Sequence, residues 1–330
     1  MTTKPKLLVV ELWGLGDLVI ATPFLRAATE KFEVTLVSKP YGRDLRDRFW
    51  PGVRVLPFLA PWTTFKHKYR LYDWPWREIL RMRKLVGRGQ FEVSLSARWD
   101  PRDHFLLAAG RARRRLGFPR LRSAMFLTDP LERPAPEAHR YEYWRVLGRT
   151  LGLDLPDREK FPVPGLHPPR REILIHTGAG QAVRVWPLAK VGKLAAQLRA
   201  KNFPVQIACD PDQYAAWQAV GETNVVVPQS VTELLGLIDR AAAFVGNDSG
   251  PGHLAALCGV PTMTLFGSQL AEWFAPLHPA SEWLEGKSCP YKPCSDYCRF
   301  PRPFCLQNTS EEEVWQRLEV FLARHCRREA

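Results

Sequence analysis

Lys6-Leu-Leu-Val-Val10 is followed by Glu11-Leu-Trp-Gly14-Leu-Gly16-Asp17, by apolar positions at helical spacing to about Thr29, and then by Glu33-Val-Thr-Leu-Val37. An apolar run, a glycine-bearing loop, a helix and a second apolar run are the opening unit of a parallel α/β sheet. The same order returns later. Glu172-Ile-Leu-Ile-His176 reads as a strand, Thr177-Gly-Ala-Gly180 as a tight loop, Leu188 to Lys201 as a helix and Pro204 to Ala208 as a strand. Between the two units Pro156, Pro162, Pro164, Pro168 and Pro169 end regular structure and mark a linker. The reading is a first domain over residues 1–160 and a second over 161–310. A last amphipathic helix, 311–330, is placed to pack back on the first half.

Phe91 to Leu95, Arg115 to Phe118, Val225 to Val227, Ala243 to Val245 and Pro261 to Phe266 read as further short strands. Val231 to Arg240 and Gly252 to Cys258 read as helices between them. Ligands of open parallel sheets bind in the crevice at the carboxyl ends of the strands. Two facing crevices would suit a two-substrate reaction.

Composition narrows the class. At roughly 100–200 residues per domain, 330 residues fit two domains. With 45% hydrophobic and 25% charged residues, disordered and fibrous architectures are excluded. No apolar run approaches the roughly 18 residues of a membrane-spanning helix. Lys4 and Lys6 before an apolar run resemble a signal peptide briefly. Glu11 and Asp17 interrupt that run, and no small-residue cleavage site follows. The expected location is the cytoplasm. Net charge is +13, and Pro61 to Met125 holds 16 Lys and Arg against five Asp and Glu, so the excess sits in the first half. Trp62, Phe65, Trp74, Trp76 and Trp99 are interleaved with it. An acidic substrate, an anionic membrane face or nucleic acid could use such a surface, and a merely solvated basic face is the plain alternative. No nucleic-acid module accompanies the charge, so nucleic acid is not the expected partner.

Three loops carry candidate chemistry. Gly246-Asn-Asp248-Ser249-Gly250-Pro-Gly252-His253 follows a strand and opens a helix. Backbone N–H groups there, with the helix dipole behind them, form an anion site, and Ser249 adds a hydroxyl. The competing reading is a helix capped by Asp248 or Ser249. Thr177-Gly178-Ala179-Gly180 with Arg184-Val-Trp186-Pro187 offers more backbone donors and a forked cation suited to diphosphate oxygens, or else a core tryptophan and a surface arginine. In Gly14-Leu-Gly16-Asp17 the carboxylate would repel an anion, so this loop suits a hydroxyl to be deprotonated, unless Asp17 is only a cap.

Leu15-Gly-Asp-Leu-Val-Ile-Ala-Thr-Pro23, His176-Thr-Gly-Ala-Gly180 with Arg184-Val-Trp-Pro187, and Asp248-Ser-Gly-Pro-Gly-His-Leu-Ala-Ala256 with Gly259-Val-Pro-Thr262 resemble, in spacing and order, the bacterial lipopolysaccharide heptosyltransferases of glycosyltransferase family 9. The resemblance covers nearly the whole chain. It implies the GT-B fold of two facing Rossmann-like domains, and inverting, metal-independent transfer from a nucleotide-sugar, typically ADP-heptose. It further implies an acidic glycolipid acceptor of the lipopolysaccharide inner core and peripheral contact with the inner membrane. Carried onto this chain, Asp17 is the general base and Arg184 stands where the family has a lysine facing the leaving diphosphate. Thr177, Gly178, Gly180, Asp248, Ser249, Gly250, Gly252 and His253 fall in the donor segment. Gly14, Gly16, Arg98 and Arg113 fall on the acceptor side, and Lys66, Lys68, Arg70, Arg114 and Arg115 are further cations there. Two departures stand out: Glu11 replaces an arginine of the family, and Cys209-Asp210-Pro-Asp212-Gln213 replaces its usual ribose-binding glutamate. Another nucleotide-sugar, another glycan acceptor, or a non-catalytic binding protein on the same fold are the alternatives.

Seven cysteines include Cys289, Cys294, Cys298 and Cys305 within 17 residues. The spacing is a loose match to a structural zinc or iron–sulfur site, with free thiols or disulfides as alternatives. Catalysis by the mechanism above requires no cofactor.

Overall fold

Strands that read as unbroken apolar runs are strands covered on both faces, as in a parallel sheet flanked by helices. The computed structural model describes residues 4–64, 70–158, 161, 172–294 and 297–326. Phe65, Lys66, Lys68, most of the proline-rich linker and the end of the last helix lie outside the described residues. The chain divides into two units, Met1–Leu155 and Pro156–Ala330, so the division falls at the first proline of the linker.

The first unit holds β1 (Lys6–Val10), β2 (Glu33–Ser38), β3 (Arg54–Pro57), β4 (Val93–Leu95), β5 (Arg114–Gly117) and β6 (Asp129–Pro130). All neighbours are parallel, in the order β3-β2-β1-β4-β5-β6. The second unit holds β7 (Glu172–His176), β8 (Val205–Ala208), β9 (Val225–Val226), β10 (Ala241–Asn247), β11 (Thr262–Phe266) and β12 (Ser281–Glu285). Read from the other edge its order is β9-β8-β7-β10-β11-β12, the same doubly wound pattern, again wholly parallel. In such a sheet the strand order reverses at a switch point, and the two loops there diverge to leave a crevice. The switch points are β1/β4 and β7/β10.

One expectation is corrected. The single helix read from Asp17 to Thr29 is two, Leu15–Ile20 and Thr22–Lys31, meeting at Ala21. Pro23 lacks the N–H that a continuous helix needs and sits instead in the first turn of the second. The C-terminal helix, Glu311–His325, is capped by Ser310 and Glu313 in a capping box. Its apolar stripe, Val314, Leu318, Phe321 and Leu322, is spent inside the second unit's core with Ile173, Leu194 and Leu198. It packs on helix Leu188–Ala200 and β12. Each such buried side chain contributes roughly 1.5–3 kcal/mol, which makes the helix an integral layer of the second unit.

Candidate active site

In the first unit, β1 ends at Val10 and the chain turns through Gly14 into helix Leu15–Ile20, leaving Asp17 in its first turn at the β1/β4 switch point. Both carboxylate oxygens are engaged. Asp17 Oδ2 accepts the Gly14 N–H at 3.2 Å, a cap contact, and Oδ1 accepts Arg98 at 3.0 Å across the switch point. The cap reading and the functional reading each hold for one oxygen. Arg98 follows β4 and is held from several sides. Its guanidinium lies 4.2 Å from the Trp13 ring centre and 5.6 Å from that of Trp99, its amide donates to Ser96 Oγ, and its carbonyl lies 3.1 Å from His104 Nε2. Arg98 was expected to touch the acceptor. Its place in the structure is against Asp17.

Behind this pair lie two buried carboxyls. Glu11 is 2% exposed, and burial, then the Asp17 charge, push its pKa up to about 8. Its Oε1 accepts the Trp13 N–H at 3.1 Å. Asp103 is fully buried and raised to about 7, chiefly by burial, although Trp62 Nε1 donates to it at 2.9 Å. A neutral Glu11 leaves the charge of Asp17 balanced by Arg98. Lys39, whose burial lowers its pKa, and buried Arg140, lowered to about 10 by burial with Arg98 adding to the shift, also feel Asp17.

In the second unit the two loops at β7/β10 are tied together. Asn247, the last residue of β10, donates Nδ2 to Thr177 O at 2.8 Å and accepts the Trp186 N–H on Oδ1 at 3.0 Å. Arg184 meets buried Asp248 at 3.4 Å, the side chains being 25% and 5% exposed. Helix Gly250–Leu257 starts immediately afterwards, with Ser249 at its N-cap position. That hydroxyl makes no cap hydrogen bond, so the purely structural reading of the loop does not hold for it. Ser249 Oγ and Arg184 Nε are both shielded from solvent without a hydrogen-bond partner among the described residues. An unmet buried donor costs about 1–3 kcal/mol, a cost that an anionic ligand at the helix start would remove. Gly252 and His253 lie in the first turns of that helix, and both are buried.

A model of the family described as "Glycosyltransferase family 9 (heptosyltransferase)" matches residues 131–300. The chain belongs to this family. Among curated relatives it is similar to "Lipopolysaccharide heptosyltransferase 3" of Escherichia coli K12, 30% identical over 105 residues that make up 29% of this chain and 30% of the relative. The chain thus spans about a third of the length of the curated relatives it matches first. Among solved structures it is similar to a glycosyl transferase family 9 protein of Veillonella parvula, with a TM-score of 0.76 at 18% identity, over 98% of this chain and 99% of the other. It is likewise similar to E. coli heptosyltransferase WaaC with ADP, with a TM-score of 0.74 at 15% identity, over 96% and 99%. The fold is therefore GT-B, two α/β domains with parallel sheets.

Within this family 9 protein the sequence-derived residues separate into those the structure gathers and those it does not. Gly14, Gly16, Asp17 and Arg98 meet at one switch point, and Thr177 to Arg184 with Asp248 to His253 flank the other. Thr177 is buried, and its hydroxyl donates to Gln213 Oε1 at 2.8 Å. Gly178 is required by close approach: a Cβ there would stand 2.2 Å from the Asp210 carboxyl. Trp186 is a core anchor, 1% exposed. Arg113 precedes β5, at the amino edge of a parallel sheet, whereas Asp17 stands at the carboxyl edge.

None of Cys289, Cys294, Cys298 and Cys305 is in a disulfide, and among the described residues no group of three His, Cys, Asp or Glu side chains is placed to hold a metal ion. Cys298 Sγ lies 3.6 Å from Arg302 O, and Cys305 is buried against Gly267 and Gly286. Burial raises the Cys294 thiol, as do its neighbours Cys298 and Cys289. The residues about the two switch points missed by sequence are Asn247, Asp103 and Arg140. For Asn247 the signal was present, an amide between a strand end and a glycine-rich loop. For the others it was not, because their roles come from burial.

Proposed function

We propose that this protein transfers a heptose, or a related sugar, from a nucleoside-diphosphate donor of the ADP-heptose type to a hydroxyl of a lipopolysaccharide inner-core acceptor, with inversion at the anomeric carbon. The observation that carries this reading is the pair of unmet donors, Ser249 Oγ and Arg184 Nε, at the start of helix Gly250–Leu257. A diphosphate satisfies both, and the helix dipole and the Arg184 charge offset the negative charge that grows on the leaving group as the anomeric C–O bond breaks. In the same step the acceptor oxygen bonds to the anomeric carbon from the opposite side. Asp17 takes the hydroxyl proton, its two oxygens held in place by Gly14 and Arg98. The steps balance without a metal or cofactor. WaaC, described with ADP, supports an adenine nucleotide as the donor. The acidic glycolipid supplies a reason for the cationic first half and for contact with an anionic inner-membrane face. Among the described residues no helix is long and apolar enough to cross a membrane.

Calorimetric titration with ADP, UDP, GDP and CMP tests the donor half of this reading. Selective ADP binding that weakens in R184A supports it. Preference for another nucleotide retains the reaction type and discards ADP-heptose, and no binding of any nucleotide sinks the donor assignment.

A further inference from the structure

Beside the loop that carries Ser249 lies a second loop whose polar groups the second unit leaves unspent. The β10–β11 ladder runs one residue past Asn247, the Asp248 N–H donating to Leu265 O at 3.0 Å. The loop after β11, Gly267-Ser-Gln-Leu270, therefore stands next to the start of helix Gly250–Leu257. It is also held from its far side. The Gly286 N–H donates to Phe266 O at 2.8 Å, that of Cys294 to Ser268 O at 3.0 Å, and that of Ala271 to Glu285 Oε1 at 3.3 Å. A Cβ on Gly267 would stand 2.7 Å from the Leu306 side chain, so this backbone packs directly on helix Phe304–Gln307. A loop fixed at so many points presents its side chains in set places.

Two of those side chains are buried without being satisfied. Gln269 is 6% exposed, and its amide makes no hydrogen bond among the described residues. Trp273, in the short helix Ala271–Phe274 that follows, has its indole Nε1 shielded from solvent and likewise unmet. Buried polar groups are nearly always paired, so two unpaired ones on one rigid loop point to a ligand that pairs them. Their chemistry is not that of an anion site. A carboxamide both donates and accepts, an indole N–H donates, and neither carries charge. From Gly267 to Phe274 the one charged residue is Glu272, which is exposed. Hydroxyl groups, which donate and accept, satisfy such a pair. On the other flank of the β7/β10 switch point, the loop after β8 carries Asp210 and Asp212. Carboxylates there repel phosphate and accept from the hydroxyls and amines of a nucleoside.

We propose that Gln269 and the Trp273 N–H hydrogen-bond hydroxyl groups of the transferred sugar. The donor then lies along the sheet edge in strand order, its nucleoside over β8, its diphosphate at β7/β10 and its sugar over β11. This rests on the donor reading above and adds the residues that tell a nucleotide-sugar from the bare nucleotide. The test is calorimetric titration of ADP-heptose and of ADP, the ratio of the two affinities measuring what the sugar adds. In Gln269→Ala the affinity for ADP-heptose should fall about tenfold, the value of one or two neutral hydrogen bonds. ADP affinity should stay within about twofold of the wild type, which separates loss of the sugar contact from loss of the fold. Trp273→Phe removes only the N–H and should lower the ratio by about threefold to fivefold. Equal losses for ADP and ADP-heptose would put these groups on the nucleotide, and no change in either would make them structural; each result overturns the proposal. Should the wild type prefer UDP or GDP, the ADP-heptose assignment fails, and the same ratio taken with UDP-glucose or GDP-mannose decides the role of Gln269 by itself. Preference for CMP, or no nucleotide binding at all, overturns both readings.

Discussion

The two sheets share one strand order, and each brings an arginine and an aspartate together across its switch point, but with the roles exchanged. In the first unit the aspartate follows the first strand and the arginine the fourth; Asp17 is 21% exposed and Arg98 14%. In the second, Arg184 follows the first strand of the sheet and Asp248 its inner neighbour β10; the arginine is 25% exposed and the aspartate 5%. The more accessible partner is thus a carboxylate at one crevice and a guanidinium at the other. The same topology can present a base or an anion receptor, depending on which member of the pair the neighbouring side chains bury. Arg98 is turned inward by Trp13 and Trp99, and Asp248 by its burial beneath the start of helix Gly250–Leu257.

The largest effect should come from removing the exposed carboxylate. With Asp17→Ala we expect kcat to fall by roughly 10²–10⁴-fold, the range for a lost general base, while ADP binding is unchanged. A variant that transfers sugar at the wild-type rate would leave the first pair a structural one, and the contrast between the units would disappear. Arg98→Ala should also reduce kcat, but less, because Gly14 still holds one oxygen of Asp17. Arg98→Lys should recover only part of the loss, since a compact ammonium cannot both stack on Trp13 and reach Oδ1 in the same way.

Next in size is the second pair. Arg184→Ala should weaken nucleoside-diphosphate binding by roughly tenfold to a hundredfold, the value of one or two charged hydrogen bonds, with a much smaller effect on the nucleoside monophosphate. An equal loss for both nucleotides would place Arg184 on the wrong phosphate and sharpen the comparison differently. Ser249→Ala should act in the same direction but more weakly. Its hydroxyl makes no cap hydrogen bond, so thermal stability should hardly change.

How far all this could be read in advance differs between the two sites. The buried strands β1, β7, β10 and β11 were legible because each is a continuous apolar run ending at a glycine-bearing loop. The edge strands β3, β6 and β12 were not: Arg54-Val-Leu-Pro57, Asp129-Pro130 and Ser281-Glu-Trp-Leu-Glu285 are short or half polar, as edges are. Helix Trp76–Gly87 was seen only as basic residues among tryptophans, its stripe of Ile79, Met82 and Val86 being too sparse to register. In the second unit the loop motifs name most of the site, because strand, loop and helix start are contiguous in sequence. In the first unit the Asp17–Arg98 contact spans 81 residues and depends on β4 lying beside β1. Nothing local announces that, and so Arg98 and Arg113 looked alike as cations although they stand at opposite edges of the sheet.

A smaller but sharper test concerns Glu11, which stands where the family resemblance leads one to expect an arginine. Its pKa is raised from 4.5 to about 8, first by burial and then by Asp17. The folded chain therefore keeps this proton at a pH where the unfolded chain has released it. The resulting stability is fully present below 4.5 and is lost as pH rises toward about 8. Asp103, raised to about 7, adds to the same slope. Glu11→Gln fixes the neutral form. Its melting temperature should match the wild type in acid and exceed it by on the order of a few degrees at the alkaline end, a gap that calorimetric melts at several pH values would measure. A gap that narrows with rising pH would mean that Glu11 is ionised in the fold, and that Arg98 is shared between two carboxylates. The bearing on transfer follows from the same charges. While Glu11 is neutral, Arg98 has one carboxylate to hold, and Asp17 is oriented; once Glu11 ionises, the guanidinium is divided and the base loses its fixed position. Wild-type kcat should then decline on the alkaline side where that of Glu11→Gln does not, so that a neutral glutamic acid, rather than a cation, is what the first crevice needs beside its base.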